Sequence, residues 1–154
     1  MATNTGPLGH LPSGGAIFCI IPDILFLPEL IFGGLTLSLV ASTYLIPYNP
    51  QAYVISVTIA CFLTTFLWLM VFVCGYHHNR KSWATADVAY HGCATVLYLS
   101  ASVLLALVTI GWSQPDNMFF LIYQLDIAAV VFSFLTTLLY FTHTIFSALR
   151  WKTY

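Results

Sequence analysis

The stretch VAYHGCATVLYLSASVLLALVTIGW, residues 88–112, contains no Lys, Arg, Asp or Glu. A bilayer core is about 30 Å thick, and a helix rising about 1.5 Å per residue needs roughly 20 apolar residues to cross it. The stretch therefore predicts one transmembrane helix. Residues 53–75 and 127–149 are of the same kind, and residues 24–45 differ only in holding one acid, Glu29. The fold class this predicts is an all-α membrane protein, a four-transmembrane-helix bundle.

Sixty per cent of the 154 residues are hydrophobic and 6% are charged. Soluble domains carry about 25% charged residues, so a soluble protein is excluded. A net charge of −1 lacks the basic face that nucleic acid requires, so no nucleic-acid partner is expected. The connections 46–52 and 113–126 are too short to fold alone. Residues 16–154 are read as one four-helix domain, and residues 1–15, rich in Gly, Pro, Thr and Ser, as a flexible tail. With no Lys or Arg in the first twenty residues, no cleavable signal is expected.

All four Lys and Arg lie after the second and fourth stretches, as Arg80, Lys81, Arg150 and Lys152. Such residues favour the cytosolic side, so both termini and the middle loop are expected to be cytosolic. Trp83 and Trp151 fall at that boundary, and Tyr44, Tyr48 and Trp112 at the other. The outer connections contain no cysteine and the chain no Asn-X-Ser/Thr site, so neither an outer disulfide nor N-glycosylation is expected. Cys74 and Cys19, near the basic end, are candidates for S-acylation, with small apolar packing the plainer alternative.

Ionisable groups near hydrocarbon need an explanation. Asp23, Asp87 and Asp126 each open a stretch, where a helix N-terminus stabilises a carboxylate, and Asp116 lies in an outer connection. Glu29 is about 9 Å deeper than Asp23 at helical rise, behind a Pro28 that loosens the backbone. It is read either as a helix-tying carboxyl without a basic partner or as a proton or cation site. In the third stretch Asp87, His91, Thr95, Ser102, Ala106 and Thr109 share one face, expected to pack on other helices while the Val, Leu, Ala and Tyr surface meets lipid. Asp87 and His91, four apart, can bond to each other, and His143 is expected near the same end. Histidines so scattered give no expectation of a metal site. The first stretch carries Gly33 and Gly34, then Ser38 and Ser42, and Gly34-xxx-Ser38-xxx-Ser42 forms a small-residue ridge for close helix approach, within the chain or between copies. No nucleophile–base motif or phosphate loop is present, so neither enzymatic activity nor a cofactor is expected.

The stretches Leu11-Pro-Ser-Gly14, Pro22-Asp-Ile-Leu-Phe26, Glu29-Leu-Ile-Phe-Gly-Gly-Leu35 with Leu39-Val-Ala-Ser42, Ala89-Tyr-His91, Leu97-Tyr-Leu-Ser-Ala-Ser-Val103, Ile127-Ala-Ala-Val-Val-Phe-Ser133 and Arg150-Trp-Lys152 together resemble the MAL-like branch of the MARVEL-domain tetraspan proteolipids. The resemblance covers nearly the whole chain. It departs in the basic middle loop, residues 76–81, and in the outer connection, whose apolar run 118–123 is expected in the membrane interface. The resemblance implies a protein that organises glycosphingolipid- and cholesterol-rich membrane (rafts), acting in polarised or apical vesicle trafficking and in myelin. It implies membrane cargo proteins as partners, and residence in the plasma membrane and trafficking vesicles. It associates Arg150, Trp151 and Lys152 with sorting, for which interfacial anchoring is the plainer explanation. A homo-oligomer and, from Glu29, a small channel or proton-coupled transporter are the alternatives carried forward.

Overall fold

The structure, a computed structural model, describes residues 10–43, 49–111 and 120–154. Two short 3-10 segments, Gly14–Cys19 and Asp23–Leu25, precede four helices: α1 (Phe26–Thr43), α2 (Asn49–Val73), α3 (Lys81–Gly111) and α4 (Phe120–Lys152). Each helical segment is long and apolar enough to cross a membrane. α1 packs on α2 and α4, and α3 packs on α2 and α4, which closes a ring of four. Tyr44, Tyr48, Trp112, Asp116 and the tail residues 1–9 lie outside the described residues.

The bundle is apolar outside, and inside it buries polar side chains among hydrophobic ones. Ile31, Leu63, Leu67, Val96, Leu107 and Leu138 are exposed large side chains, suited to acyl chains. The buried positions alternate by threes and fours. In α1 they are Phe26, Glu29, Gly33, Thr36, Val40 and Thr43. In α4 they are Asp126, Ala129, Ser133, Thr136, Tyr140, His143 and Ser147, with Thr137 beside them. This spacing keeps one seam facing the partner helices. Small and hydroxyl-bearing residues on the seam let backbones approach. Their hydroxyls are satisfied locally, as Thr36 Oγ1 donates to the Phe32 carbonyl and Thr137 Oγ1 to that of Ser133.

The last two helices begin ahead of their apolar stretches. α3 begins at Lys81 and α4 at Phe120, each seven residues before its apolar run. Hydropathy marks where charge stops, whereas backbone hydrogen bonding continues into the headgroup region. Asp87 and Asp126 are therefore not N-terminal caps, as expected above, but buried side chains in the second turns. Of the run 118–123, residues 120–123 form the first turn of α4, and the rest lies outside the described residues. Pro28 sits in the first turn of α1, where its missing N–H breaks no intrahelical bond, so it does not loosen the helix.

One end gathers three segments. From residue 10 onward the expected tail is docked: Leu11 is fully buried and its N–H donates to Asn79 Oδ1 at 2.8 Å. His77 Nε2–H donates to the Pro12 carbonyl at 3.0 Å, and the hydroxyl of Tyr154 donates to Asn79 Oδ1. The loop that receives them leaves α2 through Gly75 at φ +71°. Its N–H bonds the Phe72 carbonyl, and that of Tyr76 bonds Val71, a helix-ending pattern that needs a left-handed residue.

Candidate intramembrane polar site

Six ionisable side chains meet inside the half of the bundle nearest that end. Asp87, on α3, is the node. Its carboxylate accepts Trp68 Nε1–H from α2 at 2.7 Å, the Ser147 hydroxyl from α4, and Arg150 Nη2 from α4 at 2.9 Å. The second arm of the guanidinium, Nη1, bonds Asp23, which precedes α1. Asp23 and Asp87 are fully buried and the Arg150 side chain is only 10% exposed. The planar fork of arginine lets one side chain hold two carboxylates on different segments.

One turn deeper lies the second half of the cluster. Glu29 Oε1 is 2.8 Å from His143 Nδ1, across the α1–α4 interface. Glu29 Oε2 is 3.6 Å from His91 Nε2. The two imidazoles stack with centroids 3.6 Å apart. Phe26 sets its ring against both, at 5.4 Å from His91 and 4.8 Å from His143. His91 Nδ1 donates to the Asp87 carbonyl at 2.9 Å, as the spacing of four allows, and also lies 3.2 Å from Asp87 Oδ1. Thr65 joins the hydroxyls of Tyr90 and Tyr140 beside this cluster.

Several expectations change. Glu29 does have basic partners, so an isolated carboxyl is wrong: histidines on α3 and α4 reach it through the bundle. The premise that the histidines are scattered is also wrong, because one donor atom from each of Glu29, His91 and His143 lies within 4.8 Å of the others. The packing face of α3 is wider than expected. Asp87, His91, Ser102 and Thr109 are buried, but so are Tyr98 and Leu105, of the types expected to meet lipid, while Thr95 and Ala106 are half-buried.

The α1 ridge also divides. A Cβ on Gly33 would lie 3.4 Å from the Tyr98 hydroxyl, and one on Gly34 would lie 3.3 Å from the Phe62 ring. Ser38 and Ser42 instead face outward, their hydroxyls returned to their own helix. Of the C-terminal trio, Arg150 turns into the bundle. Trp151 and Lys152 are exposed, and the Trp151 indole N–H bonds Thr85 Oγ1 at 2.9 Å under Lys81. Cys74 and Cys19 are free and exposed.

Outside the spans, His77 is buried with both ring nitrogens used: Nε2–H on Pro12, and Nδ1 accepting from Asn79 N–H at 3.1 Å. Burial pushes this imidazole below its ordinary value, partly offset by the bond to the Pro12 carbonyl.

Four apolar helices around an enclosed polar seam define a multi-pass membrane protein. The family model described as membrane-associating domain (MARVEL) matches residues 18–146, and the chain belongs to that family. Human myelin and lymphocyte protein is 47% identical over 92% of both chains. The dog protein of the same name is 45% identical over 92% of both. Human CKLF-like MARVEL transmembrane domain-containing protein 8 is 26% identical over 86% of this chain and 75% of its own. No solved structure matches.

Proposed function

We propose that this protein organises glycosphingolipid- and cholesterol-rich membrane without catalysing a reaction, and that it serves polarised or apical vesicle trafficking and myelin through that property. The observation that carries this reading is the 47% identity to myelin and lymphocyte protein over 92% of both chains. The outward surface supports it. Phe66, Phe134, Phe141, Phe146 and Trp151 face out and offer flat ring area to sterol and acyl chains. Helix length alone does not carry it, since the 18 residues of α1 span only about 27 Å.

In this reading the gathered end faces the cytosol, as its Lys and Arg favour. Trp151 and Lys152 are the outward part of the sorting region, Cys74 and Cys19 are the acylation candidates, and Ser38 and Ser42 offer a strip for a second copy. The test is phase partition in giant vesicles of sterol, sphingolipid and unsaturated phospholipid. Enrichment in the ordered phase supports the reading, and an even distribution or exclusion removes it.

A second reading, a small channel or proton-coupled transporter, draws on the run of titratable groups from Asp23 through Arg150, Asp87 and His91 to Glu29 and His143. Proteoliposome flux that Glu29→Gln abolishes would put this reading first.

A further inference from the structure

The cluster holds polar atoms that its hydrogen bonds leave unused. Glu29 Oε2, His91 Nε2 and His143 Nε2 have no hydrogen-bond partner among the described residues. All three side chains are fully enclosed. A buried polar atom without a partner costs about 1–3 kcal/mol, and here three such atoms belong to side chains that touch one another. An ion held between these side chains, taking the Glu29 Oε2 and His91 Nε2 lone pairs, would remove two of these penalties.

The other ring nitrogens fix what the free ones can do. The carbonyl of Asp87 can only accept, so His91 Nδ1 carries the hydrogen of that bond. In the neutral imidazole the remaining nitrogen is then an acceptor. His91 Nε2 therefore presents a lone pair 3.6 Å from Glu29 Oε2, and His143, whose Nδ1 faces Glu29 Oε1 at 2.8 Å, presents one there as its Nε2–H tautomer. Ligating histidines are commonly held as His91 is, the far N–H on a carbonyl.

Charge points the same way. Asp23 and Asp87 share the guanidinium of Arg150, while Glu29 lies against the two imidazoles. With neutral imidazoles, two negative charges in the enclosed cluster lack a counter-charge. One divalent cation supplies it.

We propose that Glu29, His91 and His143 bind one divalent transition-metal ion of the zinc class, joining α1, α3 and α4 within the membrane. Two imidazole nitrogens and one carboxylate oxygen suit such an ion, which takes them at about 2.0–2.2 Å and leaves a fourth position to water or the second carboxylate oxygen. The donor atoms, within 4.8 Å of one another, close on the ion by side-chain rotation of about 1 Å. Phe26 shields the site on one side.

The test uses the full chain in nanodiscs, stripped by chelator and reloaded with Zn²⁺ or Co²⁺. After desalting, elemental analysis should find one equivalent. Zinc X-ray absorption should show a nitrogen and oxygen shell at about 2.0–2.1 Å with imidazole scattering and no sulfur. Glu29→Gln and His143→Asn should weaken binding by about ten-fold or more, while His10→Gln and His78→Gln, at the loop end, leave it unchanged. Should the cluster variants not fold, the wild-type spectrum still decides. A wild type that retains almost no metal, a sulfur shell at about 2.3 Å, or full retention by folded cluster variants overturns the proposal. So does a loss caused by the loop histidines.

Discussion

Glu29 and His143 are 114 residues apart in the chain, and their side chains meet at 2.8 Å between Oε1 and Nδ1, both fully buried. The contact joins the first span to the last and, with Asp87 and Arg150 a turn above, closes the ring of helices. Removing one partner strands the other in a place without water. His143→Ala is expected to destabilise the bundle by about 3 kcal/mol, read as unfolding of the detergent-solubilised protein. The double variant with Glu29→Ala should recover part of that loss, a coupling of about 1–2 kcal/mol. Strict additivity would mean that the two side chains do not interact.

Arg150 and Lys152 are two residues apart and should behave differently. Arg150 holds Asp23 and Asp87 together, whereas Lys152 is exposed. Arg150→Lys loses the fork and is expected to destabilise by about 2 kcal/mol, Arg150→Ala by more. Lys152→Ala should stay within about 0.5 kcal/mol. Equal, small effects at both positions would show Arg150 to be an ordinary interfacial side chain.

On α1 the close-packed glycine and the outward serine make a matched pair. Gly33→Leu forces a side chain against the Tyr98 hydroxyl and is expected to lower the melting temperature of the monomer. Ser38→Leu only adds apolar surface toward lipid and should leave it unchanged. The reverse ranking would place the packing seam on the Gly34–Ser38–Ser42 side of the helix.

The docked N-terminal segment should respond to acid through His77. Its imidazole is held below the ordinary value of about 6.5, so the docked state binds fewer protons than the released one. Docking is therefore complete above about 6.5 and is lost as pH falls through the lowered value of the folded state. Protonation also removes the acceptor that Asn79 N–H uses. Limited proteolysis between residues 10 and 22 should accelerate on acidification, and His77→Gln should flatten that response. A rate of cleavage independent of pH in the wild type would argue against this role for His77.

Much of the fold was legible because burial in lipid and hydropathy report the same thing: long apolar stretches became helices. The candidate site was only half legible. Asp87 and His91 are four apart on one helix, so their contact follows from local geometry. Nothing local announces that Glu29 meets His143, since that depends on how α1 and α4 are rotated against each other. A signal did exist in the alternation of threes and fours. Extended along α4 through Tyr140, His143 and Ser147, it reaches Arg150, which charge alone assigned to the interface. The same alternation places Glu29 in phase with Gly33 and Thr36. Helix ends were misplaced because polar residues such as Lys81 and Asp87 stop a hydropathy count without stopping a helix.

The enclosed cluster can be observed in a bilayer by solid-state NMR of protein labelled at histidine and glutamate. Cross-peaks between the His91 and His143 rings, and from the His143 ring to the Glu29 carboxyl, are the predicted result, with no contact from either ring to acyl chains. Lipid contacts at His91 or His143, with the Glu29 cross-peak missing, would contradict the bundle described above.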